Sequence, residues 1–217
     1  MQEAYRKDLS HLTWDQVYQR QVQRAPLVGD WMDALRLKPG DRVLDVGPGP
    51  GFVSFLLAGQ VGPAGLVDAV DPSAEALAYL ERLQKERHIT NIRPLVADAA
   101  TLDLPDVEFD AALIAMVLHH TDDPPGILRN VARLLRPGGL AVIAEFHPDG
   151  PCEHGPPQDH RLTSGQLRTW CDAAGLATLD ERRQSPEHYM VLVQRAACVE
   201  KRAGAPPLAP AGAVTPS

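Results

Sequence analysis

Two rhythms of apolar residues run through this chain. Short, nearly unbroken runs of Val, Leu, Ile and Ala alternate with stretches in which apolar residues return every three or four positions. The runs read as strands, those in the centre buried and parallel, and fall at about 42–46, 66–70, 92–97, 111–117, 140–146, 176–183 and 188–195. Between them, helices are predicted at about 52–59, from an N-cap at Ser73 to about His88, from Pro124-Pro125 to Leu135, and from a cap at Ser164 to a closing glycine at Gly175. Pro94 cannot donate to a ladder, so the third strand is expected at an edge or at the start of its pairing there. Gln184 to Glu187 is all that joins the last two strands, and so short a link makes them an antiparallel pair. Alternating strands and helices with a terminal hairpin predict a doubly wound α/β sheet of seven strands, one of them antiparallel.

Ahead of this core, Leu9, Leu12, Val17, Val22, Leu27, Trp31 and Leu35 recur at roughly helical intervals, which predicts two or three short helices beside the sheet. His147 to His160, with four prolines and two glycines, reads as a loop bordering a site. Val199 to Ser217 is rich in Ala, Pro and Gly and is expected to be disordered. The layout is a helical cap over 1–36, a core over 37–196 and a tail over 197–217.

The first strand carries the clearest chemistry. Val43-Leu44-Asp45-Val46 opens onto a loop with glycine at every second place, Gly47, Gly49 and Gly51, and Phe52 then begins a helix. Glycine lets backbone approach a ligand, and a helix start points free N–H groups at it. The dinucleotide fingerprint G-x-G-x-x-G would need a glycine where Phe52 stands. Asp71 lies twenty residues beyond Gly51, where a ribose-binding carboxylate belongs. Asp45 puts a negative charge into the loop, which would repel a diphosphate and suit an ammonium group. The pattern describes an adenosine with an amino-acid end rather than a dinucleotide.

Asp45-Val46-Gly47-Pro48-Gly49-Pro50-Gly51 resembles the first motif of class I S-adenosylmethionine-dependent methyltransferases. Asp71 matches their acidic residue after strand two, Ala97-Asp98-Ala99 their adenine-side motif, and Leu134-Leu135-Arg136-Pro137-Gly138-Gly139 their turn before strand five. The resemblance covers roughly residues 37–195 and looks closest to the small-molecule enzymes related to quinone and menaquinone methyltransferases. It implies a Rossmann-like fold and S-adenosyl-L-methionine as cofactor. Gly47, Pro48, Gly49 and Gly51 would border its methionine half, Asp71 and Pro72 its ribose, and Asp98 with the Ala99 N–H its adenine. Ala115 and Met116 would line the same side, and Asp45 would meet the ammonium directly or through water. His119 and His120, where the chain passes beneath the sulfonium, would orient the acceptor or take its proton. The helical cap would help to form the acceptor pocket, with Tyr5, Trp14 and Tyr18 as wall candidates. Plainer roles stand beside each of these: helix packing for the aromatics, a helix cap for Asp98, loop organisation for Asp45, and backbone hydrogen bonding for the histidines.

Composition narrows the field. A net charge of −7 without a Lys/Arg cluster argues against a nucleic-acid acceptor and for a small molecule. No apolar run approaches the roughly 20 residues of a membrane span, and the first eight residues lack an apolar signal segment. Cys152, Cys171 and Cys198 are widely spaced and odd in number, which suits a reducing cytoplasm. Arsenite or thiol methylation would need these thiolates to converge. Phe52 and Asp45 count against a nicotinamide dehydrogenase. A cofactor-binding regulator without turnover remains compatible with the motifs. His147, Glu153, His154, Asp159 and His160 match no metal-binding spacing, so no metal is expected. Oligomeric state is not encoded in any of these patterns.

Overall fold

The computed structural model describes residues 12–104, 108–151 and 155–197. Tyr5, Leu9, Cys152, Glu153, His154, Cys198 and the tail beyond it lie outside those residues.

Two helices, α1 (Trp14–Gln23) and α2 (Ala25–Leu35), precede the sheet. Strand β1 (Arg42–Val46) is followed by α3 (Phe52–Val61), β2 (Leu66–Asp71), α4 (Ala74–Glu86) and β3 (Ile92–Val96). Next come β4 (Phe109–Ala115), α5 (Pro124–Leu134), β5 (Leu135–Phe146), α6 (Ser164–Ala173) and the hairpin of β6 (Leu176–Arg183) and β7 (His188–Arg195). The strand order is β3-β2-β1-β4-β5-β7-β6, and β7 runs antiparallel to both neighbours. Successive strands march outward from β1 to β3, and the chain then returns to β4 on the other side of β1. That reversal is the topological switch point, where ligands of doubly wound sheets bind outside the carboxyl ends of the strands.

Both faces of the central strands are covered, so those strands are largely apolar. Val43, Val67, Leu113 and Val142 face α2, α3 and α4, while Leu44, Val70, Ile114 and Ile143 face α5 and α6. Asp68 is a charged residue fully buried in β2. Its carboxylate is held by Arg42 at 2.6 and 3.0 Å and by Arg93, its register partner on β3, at 2.7 and 2.9 Å. Three parallel strands are cross-linked there by charge-assisted hydrogen bonds that leave neither oxygen unpaired.

The elements depart from the apolar pattern at three places. β5 starts at Leu135, which pairs with Phe109 before Arg136-Pro137-Gly138-Gly139 bulges out and pairing resumes at Leu140 opposite Ala111. β4 ends at Ala115 rather than Val117, because Met116 takes φ +59° and breaks the extended run. The cap of α6 is Thr163 rather than Ser164: Thr163 Oγ1 accepts the Gln166 N–H and the Gln166 side chain accepts the Thr163 N–H, a reciprocal capping box. Pro94 does sit on an edge strand, since β3 ends the sheet.

Candidate functional site

The carboxyl ends of β1 and β2 hold two buried carboxylates. Asp71, the last residue of β2, accepts the Gly49 N–H at 3.0 Å and the Ser73 N–H at 2.8 Å, one on each oxygen. Burial pushes its carboxyl above the usual range, and those two donors only partly pull it back. Asp45 is enclosed between β1 and α3, where Ser54 Oγ donates to it at 2.6 Å. Burial pushes the Asp45 carboxyl up to about 7, the Ser54 hydroxyl opposes this, and the charge of Asp71 adds to it. The other Asp45 oxygen makes no hydrogen bond among the described residues. A buried carboxylate with an unused oxygen and no cation beside it is chemistry that fits an ammonium ligand.

The glycine loop between them is tight. Gly47 and Gly51 adopt φ +64° and +90°, and a Cβ at either would lie 2.5 Å from Val117 or 2.6 Å from Leu80. Only glycine fits at these two places. Gln21 of α1 reaches into the loop, donating from Nε2 to Pro48 O at 2.9 Å and accepting the Phe52 N–H at 3.1 Å. The first N–H of α3 is thereby occupied by a side chain of the chain itself. In a dinucleotide site that N–H would face the diphosphate, so this contact argues against the dehydrogenase alternative.

The remaining cofactor-side candidates gather at the same edge. Pro72 is exposed beside Asp71. Asp98 is exposed after β3, and its Oδ1 accepts the Ala100 N–H at 2.8 Å, which closes a local turn. Ala99 is buried, its carbonyl held by Asn130. Ala115 and Met116 are half-buried, and Met116 donates its N–H to Ala144 O at 2.8 Å. Positive φ in a non-glycine residue costs about 1–3 kcal/mol and collects at functional sites.

On the other side of the switch point lies a second polar cluster. Glu145 of β5 is fully buried, accepting the Leu118 N–H on Oε1 at 2.8 Å and meeting His119 Nδ1 on Oε2 at 2.6 Å. Burial pushes the Glu145 carboxyl up, but His119 and the Leu118 N–H outweigh it and hold the carboxyl below the usual range. Nδ1 of His119 is therefore the nitrogen committed to the carboxylate. Nε2 makes no hydrogen bond among the described residues. The His120 ring lies 4.1 Å from that of His119, centroid to centroid.

Phe146 follows Glu145 and is surrounded by His119, His188 on the neighbouring strand, and the guanidinium groups of Arg24 and Arg161. Arg161 donates to the carbonyls of His147, Gly150, Pro151 and Pro156 and so ties the loop after β5 together. Among the described residues, no three of His, Cys, Asp and Glu are grouped as a metal site would require. Cys171 is enclosed on α6 and burial pushes its thiol up to about 12, which removes it as a thiolate for arsenite.

Of the wall candidates, Tyr18 is buried against Phe52 and Tyr79, with its hydroxyl accepting from Arg87, and serves to pack α1 onto α3 and α4. Trp14 is half-buried at the start of α1. Gln21, Arg24, Glu145 and His188 carry no local signature, with one exception. A single carboxylate inside the run Leu140 to Phe146 must be paired once buried, a signal that could have found Glu145.

Residues 44–143 match a family described as a methyltransferase domain. Over those residues, which hold the glycine loop, Asp71 and Asp98, the chain is similar to methyltransferase domains. It is 40% identical over 111 residues to a 2-phytyl-1,4-naphtoquinone methyltransferase of Synechococcus elongatus, a match covering 51% of this chain and 48% of that one. It is 32% identical over 116 residues to a demethylmenaquinone methyltransferase of Geobacillus, covering 54% and 50%. The chain thus spans about half the length of these curated relatives. Its fold is also that of an S-adenosylmethionine-dependent methyltransferase from Aquifex aeolicus, with a TM-score of 0.73 at 23% identity over 79% of this chain and 90% of that one. No helix among the described residues is long and apolar enough to cross a membrane.

Proposed function

We propose that this chain transfers a methyl group from S-adenosyl-L-methionine to a small-molecule acceptor. The observation that carries the reading is the pair of buried carboxylates flanking the glycine loop at the switch point, one beside backbone donors and one with an unused oxygen. When bound, the cofactor supplies an already activated methyl group, so the protein mainly positions the reactants and excludes water. Asp71 accepts from the ribose hydroxyls with the lone pairs left over from Gly49 and Ser73. Asp45 faces the ammonium. Gly47, Pro48, Gly49, Gly51 and Pro72 border the same ligand, and Asp98, Ala99, Ala115 and Met116 its adenine side. His119 Nε2 takes the acceptor's proton, and Glu145 orients the ring through Nδ1 and balances the charge that results. The relatives named for naphthoquinone and menaquinone chemistry support a cyclic, quinol-like acceptor, the acidic composition supports an acceptor other than nucleic acid, and the widely spaced cysteines support a reducing cytoplasm.

Calorimetric titration with S-adenosylhomocysteine tests the cofactor half. Micromolar binding is expected, falling at least about 100-fold in Asp71→Ala, since two hydrogen bonds to a charged group are worth about 1.5–3 kcal/mol each. No binding by the folded wild type would sink the reading. Binding without methylation of any quinol or phenol in a broad screen would leave a cofactor-binding regulator.

A further inference from the structure

The polar cluster around Phe146 holds two donor groups for which the described residues supply no acceptor. The first is the guanidinium of Arg24. It lies 5.3 Å over the Phe146 ring, at the corner where α1 turns into α2. Among the described residues it makes no side-chain hydrogen bond, and no carboxylate comes within 4 Å of it. Glu145 and Glu187 are near enough to influence its charge. Both Glu145 oxygens, however, are engaged by Leu118 and His119.

The second donor is on His188, which stands opposite Phe146 in the β5–β7 ladder, ring centroids 4.9 Å apart. Ser185 Oγ decides its tautomer. That oxygen already accepts the N–H groups of Glu187 and His188, both at 3.1 Å, which uses its two lone pairs. Its remaining contact is with His188 Nδ1 at 3.0 Å, so the hydroxyl donates there and Nδ1 is the acceptor. The proton of the neutral ring therefore sits on Nε2. Nε2 is enclosed and has no partner among the described residues. Burial, with Arg24 and Arg161 nearby, holds the imidazole down to about 4, so the ring stays neutral at physiological pH.

An enclosed imidazole N–H without an acceptor, with a half-buried guanidinium on the same phenyl ring, is costly to keep and calls for an explanation. We propose that Arg24 and His188 Nε2–H form an oxyanion-binding subsite for the methyl acceptor, which enters carrying a carboxylate or an ionised enol oxygen. The α1–α2 corner places this subsite over the end of β5. Gln21, one turn before Arg24, touches the glycine loop, and Gln184, four residues before His188, is held by Leu27 O, Asp30 and Trp31 of α2. The subsite therefore lies between the cofactor loop and the β6–β7 turn, next to His119. The inference rests on the methyl-transfer reading, since it names the acceptor's recognition group.

The test uses the full chain with saturating S-adenosylhomocysteine and two pairs of probes. Benzoate is compared with benzamide, and 2-hydroxy-1,4-naphthoquinone, ionised at neutral pH, with 1,4-naphthoquinone. At least one anion is expected to bind tenfold or more tightly than its neutral partner, and which one does so identifies the carboxylate or the enolate as the recognised group. Arg24→Gln is expected to erase that preference and to leave S-adenosylhomocysteine affinity within about twofold. Nitrogen-15 NMR of the imidazole provides a check that needs no variant: His188 should show its proton on Nε2, and that signal should shift when the anion binds. Equal binding within both pairs, failure of the folded protein to bind either anion, a preference that survives in Arg24→Gln, or a proton on Nδ1 would each overturn the subsite. Repeating the titrations without S-adenosylhomocysteine separates the two readings, because a lost cofactor site leaves the anion preference in place.

Discussion

The two sides of the switch point are built with opposite charge logic. Beside β1 and β2, Asp45 and Asp71 are buried without a cationic partner, and both are pushed toward their protonated forms. Beside β5 and β7, Arg24 and His188 crowd the Phe146 ring and are both pushed toward their neutral forms, while Glu145 is held ionised by His119. Each half is short of the charge that the other has in excess. One edge of the sheet therefore waits for a cation and the other for an electron-rich group, which is the division of labour that methyl transfer from a sulfonium requires. Had the two halves neutralised one another, as Asp68 is neutralised by Arg42 and Arg93 at the opposite end of the strands, the site would be stable and inert.

Removing the proposed base should give the largest change. His119→Asn keeps a donor toward Glu145 while deleting Nε2, and kcat is expected to fall about 10²–10⁴-fold with S-adenosylhomocysteine affinity preserved. The limb of the pH–rate profile that reports the base should vanish with it, and an unchanged profile would remove His119 from the chemistry. Glu145→Gln should lower kcat less and displace that limb, which a purely structural role would not do.

The next effect is on stability, and its sign distinguishes a strained carboxylate from a paired one. Asp45 has a folded-state pKa of about 7, above its unfolded value of 3.8. The folded state then binds the proton more tightly, so stability is lost as pH rises from about 4 to about 7 and is flat beyond. Asp45→Asn cannot ionise and escapes that loss. It should match the wild type near pH 4 and exceed it by up to about 4 kcal/mol above pH 7, while binding S-adenosylhomocysteine more weakly. Denaturant midpoints at the two pH values measure this, and a variant less stable at pH 8 would mean that Asp45 is ionised and well paired. The smallest change is expected from Gln21→Ala, which frees Pro48 O and the Phe52 N–H to water. About 1 kcal/mol of stability and a several-fold weakening of S-adenosylhomocysteine binding should result.

The grouping of the glycine loop with Asp45 and Asp71, to which the cofactor is proposed to bind, was legible in sequence because its parts are local. Gly47 to Gly51 form one turn, and a single crossover fixes the distance to Asp71. The hydrophobic rhythm placed all seven strands for the same reason, with errors confined to ends where one residue changes conformation, as at Met116 and Leu135. The acceptor half draws Arg24, His119, Glu145 and His188 from four elements that meet only after the sheet is assembled. His188 stands beside Phe146 through the register of the β5–β7 ladder, which no spacing predicts. Gln21 was out of reach as well, since an amide on an exposed helix face gives no sign that it will bond to a glycine loop.

The contact between Trp31 and Gln184 spans 153 residues of chain. Translation proceeds at about 5–20 residues per second, so α2 is on hand for roughly 8–30 seconds before its hydrogen-bonding partner has been made. Through that interval the apolar face of Leu27, Val28, Trp31 and Leu35 has no hairpin to lie on. Until β6 and β7 pair, that face of α2 stays uncovered, so the side of the sheet next to Phe146 closes only after the rest of the described core is made.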